Sequence, residues 1–217
     1  ITGSSFSDSL EAALTVTTRG VILLKDSGGS GNLGNGFELD NSSGTAGVSI
    51  SGGTLSADPD GFGIGLQVRT NGAILVNGLT VEGFQRWGAD LDNLASSLAV
   101  KPGVTLTKSS FNGNGDWGLA IASKGPVTLT SLSADSNFVN GVTILTDGNV
   151  LIQGGSATNN QGYGIEVTTP GNLTISGTTA NFNWHGFHLA GIGGNVLLSN
   201  LTAKRNRNYG AGVHMDG

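Results

Sequence analysis

The stretch GNVLIQGGSATNNQGYGIEVTTPGN, residues 148–172, holds two strand-like runs separated by a segment rich in Gly, Asn, Ser and Thr. Val150 and Ile152 alternate with Leu151 and Gln153, and Ile165 and Val167 alternate with Gly164, Glu166 and Thr168. Period two marks a strand with one buried face. The connection between the runs is long for a hairpin turn. The positions one period away supply the reason.

The stretch recurs. Val104, Val127, Val150, Leu173 and Val196 are each 23 residues apart, and Leu106, Leu129, Ile152, Ile175 and Leu198 keep the same interval. Phe111, Ala134, Ala157, Ala180 and Ala203 follow, then Asn114, Asn137, Asn160, Asn183 and Asn206. Gly118, Gly141, Gly164 and Gly210 come next, while Gly186 falls one place early in the fourth unit. Each unit closes on a second alternating run: Leu119/Ile121, Val142/Ile144, Ile165/Val167, Phe187/Leu189 and Ala211/Val213. So short a unit has no helical stripe and cannot bury its apolar residues alone. It must stack on copies of itself, about 4.8 Å apart, as a parallel β-helix.

Residues 1–103 read as the same pattern with looser coils of 25–31 residues, and 104–217 as regular coils of 23 residues. In the first part Val21/Leu23, Val48/Ile50 and Ala73/Leu75 begin the coils, and Leu14/Val16, Phe37/Leu39, Leu66/Val68 and Ala89/Leu91 close them. Leu94–Gly103 is an insert. The expectation is one all-β domain over 1–217 with about seven to eight coils. It begins without Met and stops inside a repeat, so it reads as a piece of a longer chain whose neighbouring repeats cover both end coils.

Composition narrows the function classes. The 38 glycines lack a three-residue period and only 4 prolines accompany them, which excludes collagen. Regular apolar spacing argues against disorder. With no Cys, disulfides and thiolate chemistry are out. No run approaches the roughly 18 apolar residues of a membrane span. Charged residues make up 12% of the chain and the formal net charge is −5, so no basic track for nucleic acid exists beyond the turn Lys204–Arg207. A short, neutral, polar surface suits the cell exterior or a carbohydrate.

The Asn column (Asn114, Asn137, Asn160, Asn183, Asn206) is read as structural, because stacked amides can bond the next coil and Asn tolerates a left-handed corner. The Gly column (Gly118, Gly141, Gly164, Gly210) is read as supplying a positive φ or a tight entry to the second strand. Trp117, Tyr163 and Tyr209 precede those glycines and either cover the corner, which is expected, or stack sugar rings from outside.

Asn159-Asn160-Gln161-Gly162-Tyr163-Gly164-Ile165 and Asn114-Gly115-Asp116-Trp117-Gly118-Leu119 resemble the repeat of right-handed parallel β-helix proteins, tightest over 104–217. That family includes long bacterial secreted and cell-surface proteins and shares its architecture with pectate lyases. The resemblance implies right-handed coiling and is nearly silent on function, because its residues are those that make coils stack.

Outward positions of the second run are where chemistry could sit. Arg69 lies between Glu38/Asp40 and Asp90/Asp92. Facing carboxylates could hold Ca²⁺ or act as acid and base on a glycoside, and an Arg could hold a uronate. The simpler reading is that Arg69 neutralises its neighbours. Glu166 beneath His188, with His214 diagonal, is the weaker place for a metal. Thr105, Thr107, Thr128 and Thr130 form outward rows that Thr174 and Ser176 continue and Leu151/Gln153 and Leu197/Ser199 interrupt, a broken version of an ice-binding array. The expectation is therefore a non-catalytic structural or adhesive module of a secreted or cell-surface protein, without nucleic-acid partner, membrane insertion or resident cofactor. The alternatives are a polysaccharide-binding or polysaccharide-cleaving β-helix, with Arg69, Asp90 and Asp92 as its catalytic candidates and Glu38, Asp40, Trp117, Tyr163 and Tyr209 as its sugar-binding ones, and then an ice-binding solenoid.

Overall fold

Coils that repeat a buried pattern must place like residues over like. In the computed structural model, which describes residues 1–215, Val104, Val127, Val150, Leu173 and Val196 sit side by side on adjacent parallel strands. Each coil contributes to three faces. The first is a nine-stranded parallel sheet: Leu14–Thr17, Phe37–Asp40, Leu66–Arg69, Ala89–Asp92, Leu119–Ser123, Val142–Thr146, Tyr163–Thr168, His185–Ile192 and Ala211–Met215. The second runs from Ile22–Lys25 through Val48–Ser51, Ile74–Asn77 and Val104–Thr107 to the leading parts of Val127–Ser133 and Val150–Ser156, then Leu173–Ser176 and Val196–Ser199. The third, short face holds Gly29–Asn32, Thr54–Ala57, Thr80–Glu82 and Ser110–Asn112, with the tails of Val127–Ser133 and Val150–Ser156. The chain is thus an all-β right-handed parallel β-helix, and among the described residues it has no helix.

Two rows of single left-handed residues bend each coil around the short face. Lys108, Ser131, Gly154, Gly177 and Asn200 form one, and Gly113, Ser136, Asn159, Phe182 and Arg205 the other, all with φ between 49° and 68°. A lone left-handed residue turns the strand without ending it, which non-Gly side chains allow only at some cost. The second row stands one residue before the Asn column. The expected left-handed role of that column therefore belongs to its neighbours.

The interior is a continuous column. Phe37, Leu66, Ala89, Leu119, Val142, Ile165 and Phe187 are buried along the first face, while Phe111, Ala134, Ala157 and Ala180 fill the third corner. Each large apolar side chain removed from water contributes about 1.5–3 kcal/mol. In the first part of the chain the strand phase differs from expectation. Ile22/Leu24 and Ile74/Val76 point inward and pair with Val48/Ile50, whereas Val21, Leu23 and Leu75 are exposed. Val21-Ile-Leu-Leu24 and Ala73-Ile-Leu-Val76 are apolar at every position, so alternation cannot choose the face. Register with Val48 on the neighbouring strand chooses it.

Polar ladders close the corners. Asn114, Asn137, Asn160 and Asn183 are buried, and each Oδ1 from Asn137 to Asn206 accepts the backbone N–H of the Asn one coil before, at 2.8–3.0 Å. The amide groups of Asn137, Asn160, Asn183 and Asn206 donate to the carbonyls of Phe111, Ala134, Ala157 and Ala180. A second ladder, absent from the sequence reading, closes the corner between the first two faces: Asn41, Thr70, Asn93, Ser123, Thr146 and Thr169 are buried, and each side chain donates to a corner carbonyl. The Gly column also has another cause than expected. Gly118, Gly141 and Gly164 do not have positive φ; a Cβ on them would lie 2.5–2.7 Å from the amide nitrogen of Asn137, Asn160 or Asn183. Glycine stands there because the Asn ladder occupies the space.

Candidate functional site

Strand register on the first face builds two outward rows. Thr15, Glu38, Gln67, Asp90, Ala120, Thr143, Glu166, His188 and Gly212 form one. Asp40, Arg69, Asp92 and Ala122 lie along the other. Stacking therefore brings together the Glu38/Asp40, Arg69 and Asp90/Asp92 set. The Arg69 guanidinium makes a short ion pair through Nη2 to Asp90 and a longer contact of 3.8 Å from Nε to Asp92. Asp90 is buried and half-exposed Arg69 also donates to the Val68 carbonyl. The Asp40 carboxylate accepts the Ser42 hydroxyl at 2.6 Å and the Ser42 N–H at 2.8 Å; those bonds, with nearby Arg69, hold its pKa below the usual value. Glu38 accepts from Asn35 at 2.5 Å and from Thr15 at 3.3 Å.

Each polar group in this set already has a partner on its own coil or the next. The hollow beside it measures about 160 Å³ and is lined by Thr15, Thr17, Glu38, Asp40, Gln67 and Arg69. The insert after Leu94 does not wall it. Ser96 instead bonds the Asn71 carbonyl, and Asn93 bonds the carbonyls of Gly72 and Pro102, which draws the insert onto the corner between the first and second faces. Among the described residues, no group of three His, Asp or Glu side chains converges to hold a metal ion.

The aromatic positions form a longer row than the sequence reading found. Trp87 and His185 each precede a glycine of the same column, as Trp117, Tyr163 and Tyr209 do, with Asn140 between. The signal was the aromatic-Gly pair, hidden in one case by the looser early coils and in the other by the displaced Gly186. His185 begins the strand His185–Ile192 and pairs with Tyr163. Trp87 and Trp117 stack at 5.0 Å and 13°, and Trp87 Nε1 donates to Asp116 at 2.9 Å. Tyr163 stacks on His185 at 4.8 Å and on His188 at 4.6 Å, and His185 lies 4.1 Å from Tyr209. These rings lie against one another along the axis in two groups, Trp87 with Trp117 and Tyr163 with His185, His188 and Tyr209.

Glu166 and His188 are register partners despite the shift at Gly186. They bond different groups, however. Glu166 accepts from Asn140 at 3.0 Å and Thr143 at 3.3 Å, while His188 Nδ1 and the Tyr209 hydroxyl share a 2.8 Å bond. Burial, then nearby His188, lowers the His185 pKa, and burial, then Tyr163, raises that of the Tyr209 hydroxyl. On the second face Thr105/Thr107 lie directly beside Thr128/Thr130, and then Leu151/Gln153 interrupt the array. Exposed Leu197 interrupts it again.

Residues 117–217 match the family model described as right handed beta helix region. No curated protein and no solved structure matches the chain. No helix among the described residues is long and apolar enough to cross a membrane.

Proposed function

Starting from a chain that is a right-handed parallel β-helix of stacked repeats, we propose that it serves as a structural or adhesive module of a secreted or cell-surface protein, without catalysis of its own. One observation carries this reading: the charged groups of the densest outward cluster are already bonded to one another or to neighbouring polar groups. Arg69 lies against Asp90 and Asp92, and Asp40 and Glu38 are bonded by Ser42, Asn35 and Thr15. A lyase or glycosidase needs a base or acid free to reach a substrate proton. Cross-strand charge pairing accounts for Arg69 with Asp90 and Asp92, and local hydrogen bonds hold Glu38 and Asp40. The module's partners are then neighbouring repeats and a cell-surface or polysaccharide ligand.

Two measurements test the reading. The first incubates the protein with pectin-like and alginate-like polymers, with and without Ca²⁺, and follows ultraviolet absorbance of unsaturated products and release of reducing ends; none is expected. Product that disappears in Asp90→Asn would replace this reading with the enzyme. The second labels intact cells that produce the full-length protein with an antibody to this region. Surface label is expected, and label only after lysis would overturn the location.

A further inference from the structure

The turn that leads from the third face to the first carries a different chemistry from the faces. A groove of about 600 Å³ follows it, lined by Gln85, Ser136, Phe138, Asn159, Gln161 and Arg207 among others. It runs from the coil of Gln85 to the coil of Arg207, on the order of 24 Å at ~4.8 Å per coil. No carboxylate lines it. Phe138 is 59% exposed and, among the described residues, no aromatic ring stacks on it. That sets it apart from Trp117, Tyr163 and Tyr209. Phe182 and Trp184, on the coil between those of Gln161 and Arg207, are also about half exposed.

The charge at the groove's Arg207 end is unusual for this chain. Lys204, Arg205 and Arg207 are three of its ten basic residues, in a protein of net charge −5. Among the described residues none of the three is in a salt bridge; those found involve Arg69 and Lys124. The Arg205 guanidinium lies 5.5 Å from the Phe182 ring centre, and the Arg207 guanidinium 5.8 Å from the Trp184 ring centre. Aromatic faces hold both guanidiniums in place while leaving their N–H groups free to bond an anion.

We propose that this corner groove is a binding site for a linear acidic polysaccharide, lying along the helix axis. Phe138 would take the apolar face of one sugar ring, the amides of Gln85, Asn159 and Gln161 would bond hydroxyls, and Arg205 and Arg207 would pair with carboxylate or sulfate groups. A sparsely charged polymer suits the site better than a nucleic acid. Three cations at one end of an otherwise acidic protein do not make the continuous basic track that phosphate backbones require. The proposal rests on the module being displayed, since it gives the display module its ligand.

The test is calorimetric titration of the protein with sodium alginate and with chondroitin sulfate, in EDTA at low salt. Dextran is the neutral control and a single-stranded dT oligonucleotide the second arm. At least one acidic polymer should bind at least about tenfold more tightly than dextran, and added salt should weaken it. Arg205→Gln with Arg207→Gln should weaken binding at least about tenfold and Phe138→Ala about tenfold, both at unchanged melting temperature because all three residues are exposed. Arg69→Gln, on the first face, should leave binding unchanged. The proposal is overturned if neither acidic polymer binds, if dextran binds equally well, if the oligonucleotide binds more tightly than both polymers, or if Arg69→Gln abolishes binding while the corner variants do not. Those outcomes are independent of surface labelling and product formation, so the ligand can fail without the display reading.

Discussion

The coils before Gly103 and those after it solve the same packing problem in different ways. After Gly103 each corner repeats at a fixed interval, so one Asn can bond the next without interruption from Asn114 to Asn206. Before it, Asn32 bonds Ser9 and Phe6, but the slot adjoining Asn114 holds Phe84, whose N–H donates to Asn114 Oδ1 while its side chain continues no ladder. The glycine column does not break in the same place. Gly36, Gly65 and Gly88 continue it, and a Cβ there would lie 2.1–2.5 Å from a backbone oxygen, a Val81 methyl or the Asn114 amide. Close approach of coils is thus required along the whole helix, whereas the amide ladder belongs to the regular part. Steric exclusion tolerates no substitute. A hydrogen-bonding corner can be replaced by an apolar plug.

That contrast is best broken at Gly141. A Cβ there would lie 2.7 Å from the Asn160 amide and from the Gly164 and Ala134 carbonyls, so Gly141→Ala should cost about 3 kcal/mol, read as a lower denaturant midpoint. Gly113→Ala is the control. Its φ of 64° is strained for Ala but its surroundings are open, so about 1 kcal/mol is expected. Equal losses would remove the steric account of the column.

The ladder comes next. Asn160→Ala leaves the buried Asn137 N–H and Ala134 carbonyl without their side-chain partner and should cost about 2–3 kcal/mol. Asn32→Ala removes longer bonds of 3.1 and 3.3 Å from the irregular part and should cost about 1 kcal/mol. If Asn32→Ala proved the more damaging, the ladder would not be what distinguishes the two parts.

Acidification should act on the regular part. His185 has its pKa lowered from 6.5 by burial, so the unfolded chain binds its proton first. That contribution is fully present above 6.5 and is lost as pH falls toward the folded value. The melting temperature should therefore drop between pH 7 and pH 5, and His185→Phe should flatten that part of the profile. An unchanged profile in the variant would assign the acid sensitivity elsewhere. The smallest effect is expected at Arg69. Arg69→Gln leaves Asp90 unpaired, but Arg69 is 36% exposed, so solvent screening limits the loss to about 1 kcal/mol or less in a chemical-denaturation titration. A loss as large as that of Asn160→Ala would mean the pair is far better shielded than its exposure indicates.

Most of the fold was legible because a stacked repeat writes its register into the sequence. The outward rows on the first face fall where alternation and interval place them, from Thr15 to His188. Legibility ended where local pattern stopped discriminating. Val21–Leu24 is apolar throughout and hid its phase. Asn41, Thr70, Asn93, Ser123, Thr146 and Thr169 vary in type, so their shared corner was not seen although each follows the closing run by two positions.

The candidate sites divide in the same way. The sequence by itself determined that Arg69 would meet Asp90 and Asp92, because period and alternation suffice to stack them. It also determined that glycine and asparagine recur together. Only the tertiary structure decided why: the glycine is bare because an amide of the next coil fills its side-chain space, and the left-handed turn falls on Ser136 or Asn159 rather than on the ladder residue beside it. It also decided that Trp117 and Tyr163 stack along the axis while Phe138 stands uncovered. Which face of a ring remains free depends on the distance and tilt of its neighbours one coil away. A linear string records which residues become neighbours, but not how closely their atoms approach.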